Sequence, residues 1–572
     1  MTAARNSSTT GARRGPLRIG NASGFYGDRF AAMREMLTAG PLDVLTGDYL
    51  AELTMLILGR QRMKDPNGGY ARTFLHQLEE CLGLAIDRGV RIVSNAGGLN
   101  PAGLATAIAE LADRLGLSVR VAHVKGDDLL PRAEELGLSG ALTANAYLGA
   151  LGIAECLRAD VDVVVTGRVT DASLVVGPAI AHFGWQRTDF DALAGATVAG
   201  HVIECGAQAT GGNYAFFTEI PDLGHAGFPI AEIHPDGSSV ITKHPDTGGS
   251  VTVETVTAQL LYEISGPDYL GPDVTSQFDT VALTEDGADR VRISGVRGQA
   301  PPPRVKVCVN TLAGFRNSAT FVLCGLDVDR KAELARRQLE AEVGAEGITW
   351  TLARTDHADA DSEETASALL HATIKADDPK RVKGFSRACV ELALASYPGF
   401  TLTAPPSDGT PVGVYRPAFV PQSALRQVAV LPDGRTVDIA PPEDFAAPRE
   451  FAPAPPSEHS AADLTRRAPL GSFLGARSGD KGGDANLGVW ARDAAGYRWL
   501  AAELTVDRLR ELLPETGELS IERYELPNLR AVNFVLHGLL GEGVAASTRF
   551  DPQAKALGEW LRSRVVDLPE VM

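Results

Sequence analysis

Five short apolar runs, each followed by a polar, glycine-bearing loop and most then by a helical stretch, dominate the first 170 residues of this chain. The runs cover 17–19, 42–45, 91–94, 117–124 and 161–165. The helical stretches cover 30–37, residues from 50 onward, 74–88, the segment up to 115, and 145–157. Strands alternating with helices dictate a parallel sheet with right-handed crossovers. In such a sheet, ligands bind beyond the carboxyl ends of the strands. Those ends carry Asn21, Ser23 and Asp28; Asp48; Asn95, Gly97, Gly98 and Asn100; and Arg168 and Asp171. Each has a local role available to it, since Asp caps helices and Asn favours turns. Polar residues at four strand ends at once point instead to a pocket that draws on several loops.

A second polar stretch runs from His201 to Tyr214 and holds Glu204, Cys205, Gln208 and Asn213 among Gly206, Gly211 and Gly212. Glycine lets backbone approach a ligand closely. Reactive side chains spaced by glycines suit a site better than a core; an ordinary loop between a helix and a strand is the competing reading. Catalysis by Cys205 requires a depressed thiol pKa, and no pairing with His201 follows from the sequence.

From residue 230 the pattern changes to strands joined by Pro-Asp turns: 230–233, 239–243 and 250–254, then a helix over 256–263. Strands follow at 279–283, 291–296, 305–310, 320–326 and 349–352, with helices at 329–343, 363–372 and 388–396. A hairpin, 428–430 with 437–439, closes this part. Residues 441–465 are rich in Pro, Ala and Glu and read as an extended linker. Beyond it, a strand at 471–474, a polar loop, a strand at 487–490, a helix at 506–513, strands at 521–526 and 531–536 and a helix at 555–564 make a small α+β domain of ferredoxin-like type. The expected organisation is a disordered tail (1–15), an α/β parallel-sheet domain (16–229), an α+β domain (230–440), the linker (441–465) and the ferredoxin-like domain (466–572). A length of 572 residues agrees with two to four domains.

The densest polar and glycine segment is Arg477 to Asn486. Its glycines allow a backbone nest for an anion. Lys481 suits a carboxylate or a developing enolate-like charge, and Asp480 and Asp484 are oxygen donors for a divalent cation. The frame of a phosphate-binding P-loop is absent.

Charge excludes some classes. The net charge of −18 argues against nucleic-acid binding, which needs a surplus of Lys and Arg. No window approaches the ~20 apolar residues of a membrane span. Six cysteines, none at metal-ligand spacing and several in apolar runs, read as reduced thiols, and with the acidic balance they suggest a cytoplasmic protein; its size suggests a homo-oligomer.

Several long motifs resemble one family. They are Asn21-Ala22-Ser23-Gly24-Phe25-Tyr26-Gly27-Asp28-Arg29, Thr46-Gly47-Asp48-Tyr49-Leu50-Ala51-Glu52, Asn95-Ala96-Gly97-Gly98-Leu99-Asn100-Pro101, Gly167-Arg168-Val169-Thr170-Asp171-Ala172, Glu204 to Gly212, and Ser478-Gly479-Asp480-Lys481-Gly482-Gly483. The chain resembles the acyclic terpene utilisation AtuA proteins from about residue 17 to 540, including a C-terminal ferredoxin-fold domain. The resemblance implies a part in breaking down citronellol- and geraniol-type acids as CoA thioesters, beside leucine and isovalerate catabolism. It carries over no catalytic residues.

The expected function is an enzyme acting on a branched acyl-CoA or related carboxylate by hydration, C–C cleavage or hydrolysis. Glu204 is the expected general acid/base, Arg168 the carboxylate holder, Asp171 and Asp48 the orienters of water or a metal, and Lys481 the stabiliser of negative charge. Asn21, Ser23, Asp28, Asn95, Gly97, Gly98, Gln208, Gly211, Gly212, Asp480 and Asp484 complete the expected lining. CoA enters as part of the substrate, and a divalent metal is the one cofactor the residues suggest. The alternative is a non-catalytic scaffold or regulatory subunit of an acyl-CoA-processing assembly.

Overall fold

The computed structural model describes residues 15–451 and 465–569. The tail expected over 1–15, apart from Gly15, and residues 452–464 of the expected linker lie outside the described residues.

The elements that position the site begin with β1 (Leu17–Asn21), α1 (Ala32–Ala39), β2 (Val44–Gly47), α2 (Glu52–Lys64), α3 (Arg72–Arg88), β3 (Arg91–Ser94), α4 (Pro101–Leu115) and β4 (Val121–Lys125). They continue with β5 (Thr143–Ala146), α5 (Leu151–Arg158), β6 (Val163–Thr166), α6 (Ser173–Phe183), α7 (Phe190–Ile203), β7 (Pro229–Ile233), β8 (Ser239–Lys243) and α8 (Val253–Leu260). Strands β1, β2, β3, β6 and β4 lie side by side in that order, all parallel. Val163, Val164 and Val165 of β6 are buried, as expected where helices cover both faces of a parallel sheet.

Antiparallel strands extend both edges. β7 pairs with β1 and β8 with β7, so strands that the sequence pattern assigns to a second domain join the first sheet. The hairpin of Gln427–Val430 and Thr436–Ile439 adds to β4 at the other edge. With Val291–Ser294 and Ala282–Glu285 beyond β8, the sheet has eleven strands.

Several expected elements differ. Asn145, expected in a helix, lies in β5, which pairs with residues 307–310 of the strand Arg304–Cys324. A short apolar run does not distinguish strand from helix by itself, and the partner strand decides. The strand expected over 250–254 does not form: residues 250–252 lead into α8, which begins at Val253. Thr252 caps it, its hydroxyl accepting from Thr255 N at 3.1 Å. The helix expected over 363–372 is the strand Ser367–Ala376. Its Ala and Leu residues favour helix, but ten antiparallel pairings with residues 315–324 override that preference.

The chain divides into two compact units. Of the described residues, one comprises 15–310, 415–451, 465–544 and 553–569; the other comprises 311–414 and 545–552. The second unit packs helices Val328–Val343 and Pro379–Glu391 on an antiparallel sheet around Phe321, Leu339, Leu370, Ile374 and Phe385.

Within the first unit, the C-terminal segment forms a four-stranded antiparallel sheet. Its order is Leu474–Lys481, Asp484–Ala491, Ala531–Leu536, Ile521–Leu526. Helices Ala494–Glu503, Val506–Leu512 and Leu557–Arg562 belong to the same segment, and Leu500, Leu509 and Leu561 share its core with Leu487 and Phe534. The strand expected over 471–474 is a short 3-10 turn, Leu470–Ser472. The expected nest over 477–486 is a regular hairpin with Gly482 and Gly483 as its two-residue turn and Gly482 at φ +71°. Other glycines here allow close packing. A Cβ on Gly479 would lie 2.6 Å from the Tyr262 ring, and one on Gly488 would lie 2.5 Å from Leu261 Cβ. The chain leaving α8 therefore lies directly against the C-terminal sheet. No described helix is long and apolar enough to cross a membrane.

Candidate active site

The loop after β1 holds the end of α7. Asn21 Nδ2 donates to the carbonyls of Ile203 (2.7 Å) and Glu204 (2.9 Å). Gly24 admits the approach, since a Cβ there would lie 2.7 Å from the Cys205 backbone. Asp28 accepts from the amides of Gly24 and Arg29 at 2.8 and 2.7 Å, and the Ser23 hydroxyl donates to the Phe25 carbonyl. These residues shape the loop, and the loop sets Glu204.

The next strand ends form one connected group. Asp48 Oδ1 accepts from Leu50 N at 2.9 Å and from Asn95 Nδ2 at 2.7 Å, while Asn95 Oδ1 accepts from Tyr49 N at 2.8 Å. Burial and the nearby Asp171 carboxylate push the Asp48 carboxyl well above the usual range, outweighing Arg168 and its hydrogen bonds. Arg168, at 2% exposure, follows β6. Its amide donates to Asp127 (2.9 Å), its Nη1 to the Leu50 carbonyl (2.6 Å), and its Nη2 lies 2.8 Å from Asp171 Oδ1. The guanidinium stands 4.2 Å from the centre of the Tyr147 ring.

Glu204 sits just past α7. Its Oε1 is 3.2 Å from His201 Nδ1. Burial, then Asp171 and Glu263, raise its carboxyl well above the usual range, against Lys481 and Arg168. Burial and the Lys481 charge lower His201 to about 4, so the ring is neutral at physiological pH. Lys481 reaches in from the C-terminal hairpin and donates to the Glu263 carbonyl at 2.6 Å. Burial and the neighbouring Lys306 lower its pKa, against three carboxylates.

Two buried polar atoms of this cluster, Arg168 Nε and Glu204 Oε2, lack a hydrogen-bond partner among the described residues. A buried unpaired polar group costs about 1–3 kcal/mol, and native proteins pair nearly all of them. Orphans gathered in one electrostatic neighbourhood mark a place that a ligand or solvent completes. Three surface pockets, the largest about 600 Å³ and lined by Glu35, His225 and His244, have no residue of this cluster in their walls.

Residues 17–431 match the sequence model of the acyclic terpene utilisation family protein AtuA. The chain belongs to the AtuA family. Residues 468–567 match the AtuA ferredoxin-like domain, which is the four-stranded C-terminal sheet with its helices. No curated protein and no solved structure matches the chain. Membership in the AtuA family gives the protein a role in acyclic terpene utilisation.

In this AtuA-family chain the expected site residues fall into two groups. Asp48, Asn95, Arg168, Asp171, Glu204 and Lys481 belong to the buried cluster described above. The others serve neighbouring structure. Gln208 accepts from Arg477, and Arg477 also donates to the Asn213 carbonyl at 3.1 Å, tying the ferredoxin-like domain to the 3-10 turn Gly206–Thr210. Gly98 and Gly211 sit at φ +52° and +109°. Gly97 packs where a Cβ would lie 2.4 Å from the Thr166 carbonyl, and a Cβ on Gly212 would lie 2.9 Å from that of Ala207. Cys205 keeps its proton, because burial and then Glu204 push the thiol well above its usual range. Asp484 accepts from Gly538 N and pairs with His537 at 2.9 Å, whereas Asp480 lies 3.6 Å from Lys555. The two carboxylates thus have separate partners. Among the described residues no three His, Cys, Asp or Glu side chains are grouped to hold a metal.

Sequence reasoning missed several members of the cluster. Glu52, which opens α2, accepts from Tyr147 Oη at 2.7 Å and pairs with Lys306 at 3.1 Å. Burial alone would raise its carboxyl, but Lys306 and Arg168 outweigh that and lower it. Glu263, at φ +56°, pairs with Lys555 at 3.1 Å. Lys555 also donates to Tyr262 Oη. Lys306 carried a signal: a lysine between Val305 and Val307 in an apolar strand has an uncommon reason to be there.

Proposed function

We propose that this protein is an enzyme of acyclic terpene or branched-acid breakdown that transfers a proton to or from an acyl-CoA or related carboxylate substrate, in a hydration, C–C cleavage or hydrolysis step. The observation that carries this reading is Glu204. Its Oε2 is buried and unpartnered, and its carboxyl holds a proton beyond the usual range. A protonated carboxyl with one free oxygen is a general acid, and after donation it becomes the base for the return step.

The neighbours fit this role. Neutral His201 sits on the other Glu204 oxygen without forcing its ionisation. Lys481, bound to a backbone carbonyl and to no carboxylate at close range, is available to stabilise charge that develops on a substrate carbonyl oxygen. Arg168, paired with Asp171, anchors the substrate's polar end. Cys205 packs as a protonated thiol and takes no nucleophilic role, which would need a depressed pKa.

Replacing Glu204 with Gln keeps size and polarity but removes the transferable proton. Turnover of branched acyl-CoA thioesters or their free acids, followed by mass detection of products, is expected to fall about 10²–10⁴-fold while the melting transition stays cooperative. A Glu204→Gln protein that turns over at the wild-type rate removes the basis for this mechanism.

A further inference from the structure

Beside Glu204, the cluster contains donors that the proton-transfer step does not use. Arg168 Nε is buried and lacks a partner among the described residues, and the buried Tyr415 hydroxyl oxygen accepts from Lys306, which leaves its own proton without an acceptor there. Lys306 Nζ pairs with Glu52 and donates to Tyr415 Oη, which leaves one of its three N–H directions. Arg168 and Lys306 flank Tyr147, and Tyr415 stands beside Lys306. The Arg168 guanidinium is 4.2 Å and Lys306 Nζ is 4.8 Å from its ring centre, and Lys306 Nζ is 5.7 Å from the ring of Tyr415. The ferredoxin-like domain packs on Tyr415, because Gly482 of its hairpin turn lies so close that a Cβ would be 2.8 Å from the Tyr415 ring. The turn that packs on Tyr415 directly follows Lys481.

The charges point the same way. Asp171 stands against Arg168 and Glu52 against Lys306, while Lys481 contributes a third cation whose close partner is a neutral carbonyl. Lys306 and Lys481 lie close enough that the first depresses the second. Donors without acceptors and a surplus cation call for an acceptor-only anion, and a carboxylate meets both needs with two oxygens.

We infer that Arg168, Lys306 and Tyr415 form an anion subsite for a free carboxylate on the substrate, separate from the carbonyl that reacts at Glu204. The substrate class is therefore an acyl compound with a second acid group. This rests on the proton-transfer reading for the position of the reacting carbonyl, but binding of the second carboxylate is measurable without turnover.

The test uses the full-length protein with glutarate and valerate, five-carbon acids that differ in one carboxylate, followed by calorimetry and thermal shift at fixed ionic strength. Glutarate is expected to bind about tenfold or more tightly than valerate, the gain of a charge-assisted contact. Tyr415→Phe and Lys306→Gln are each expected to reduce that preference several-fold, and Glu204→Gln to retain it. Tyr415→Phe removes one hydroxyl and so serves where Lys306→Gln fails to fold. Glutarate binding no better than valerate, absence of binding included, overturns the subsite, as does a preference that both variants leave unchanged. If Glu204→Gln keeps both turnover and the glutarate preference, the mechanism fails and the subsite stands.

Discussion

At the level of single residues, the site consists of carboxyls held in opposite states by their neighbours. Burial and other carboxylates push Glu204 and Asp48 toward the protonated form, while Lys306 and Arg168 pull Glu52 toward the ionised form against its burial. The acid form of Glu204 thus persists above the usual carboxylate range. Turnover that needs this acid is expected to hold above the ordinary glutamate range and to fall as pH rises through the elevated pKa, as a kcat/KM–pH profile will register. A profile that has already fallen by half near pH 4.5, the ordinary glutamate value, contradicts that assignment.

Asp127 provides a stability counterpart. Burial raises its carboxyl from 3.8 to about 6, above its unfolded value, even though Arg168 N and Asn145 donate to it. The folded protein therefore holds this proton more tightly than the unfolded chain. Its contribution is complete below pH 3.8 and is lost as pH rises toward 6, a decline on the order of 3 kcal/mol. Asp127→Asn keeps an acceptor but removes the titration. Its denaturation free energy is expected to lack that share of the decline between pH 4 and 6, and an unchanged slope rejects the assignment.

Residue types alone selected Glu204, Arg168, Asp171 and Lys481, because polar groups among glycines at strand ends are visible in one dimension. Glu52, Tyr147 and Tyr415 were not visible, and Lys306 showed only as a lysine within an apolar strand. Each belongs to an ordinary-looking segment, and each acquires its role from a partner more than 90 residues away.

At the level of elements, the parallel strands β1, β2, β3 and β6 and the helices between them follow from periodicity and caps. The Asn100 side chain accepts from Gly103 N at 2.9 Å to start α4, with Pro101 in its first turn. Segments decided by long-range pairing were misread, β5 and Ser367–Ala376 among them, because a partner strand distant in sequence supplies the hydrogen bonds. The glycine-rich segment 477–486 was read as a ligand-holding loop, whereas its glycines make room for Tyr262, Tyr415 and the Gly541 backbone. Gly488 is the clearest instance. Gly488→Ala drives a methyl into Leu261 and is expected to cost about 1–3 kcal/mol in urea denaturation; a neutral effect shows that the two segments do not pack this closely.

On the scale of the molecule, residues from both ends of the chain meet in one compact unit. The ferredoxin-like domain contributes Lys481 and Lys555, and Glu263 between them bonds both through its carbonyl and its carboxylate. A chain ending at residue 451 loses both lysines and leaves Glu263 and the Leu261–Tyr262 surface uncovered. It is expected to lack turnover and to bind hydrophobic dye, and adding residues 465–572 in trans is expected to restore activity in part. Full activity in the truncated chain separates the ferredoxin-like domain from the chemistry.

The sequence by itself determined the α/β class, the order of the parallel strands' helices and loops, the small C-terminal α+β domain and the AtuA likeness, since all of these depend on local periodicity and contiguous motifs. Tertiary structure alone decided which charges face one another. Ion pairs such as Glu52–Lys306 and contacts such as Lys481–Glu263 join residues more than 200 positions apart. Protonation states follow from burial and proximity in space, and neither is a property of position along the chain.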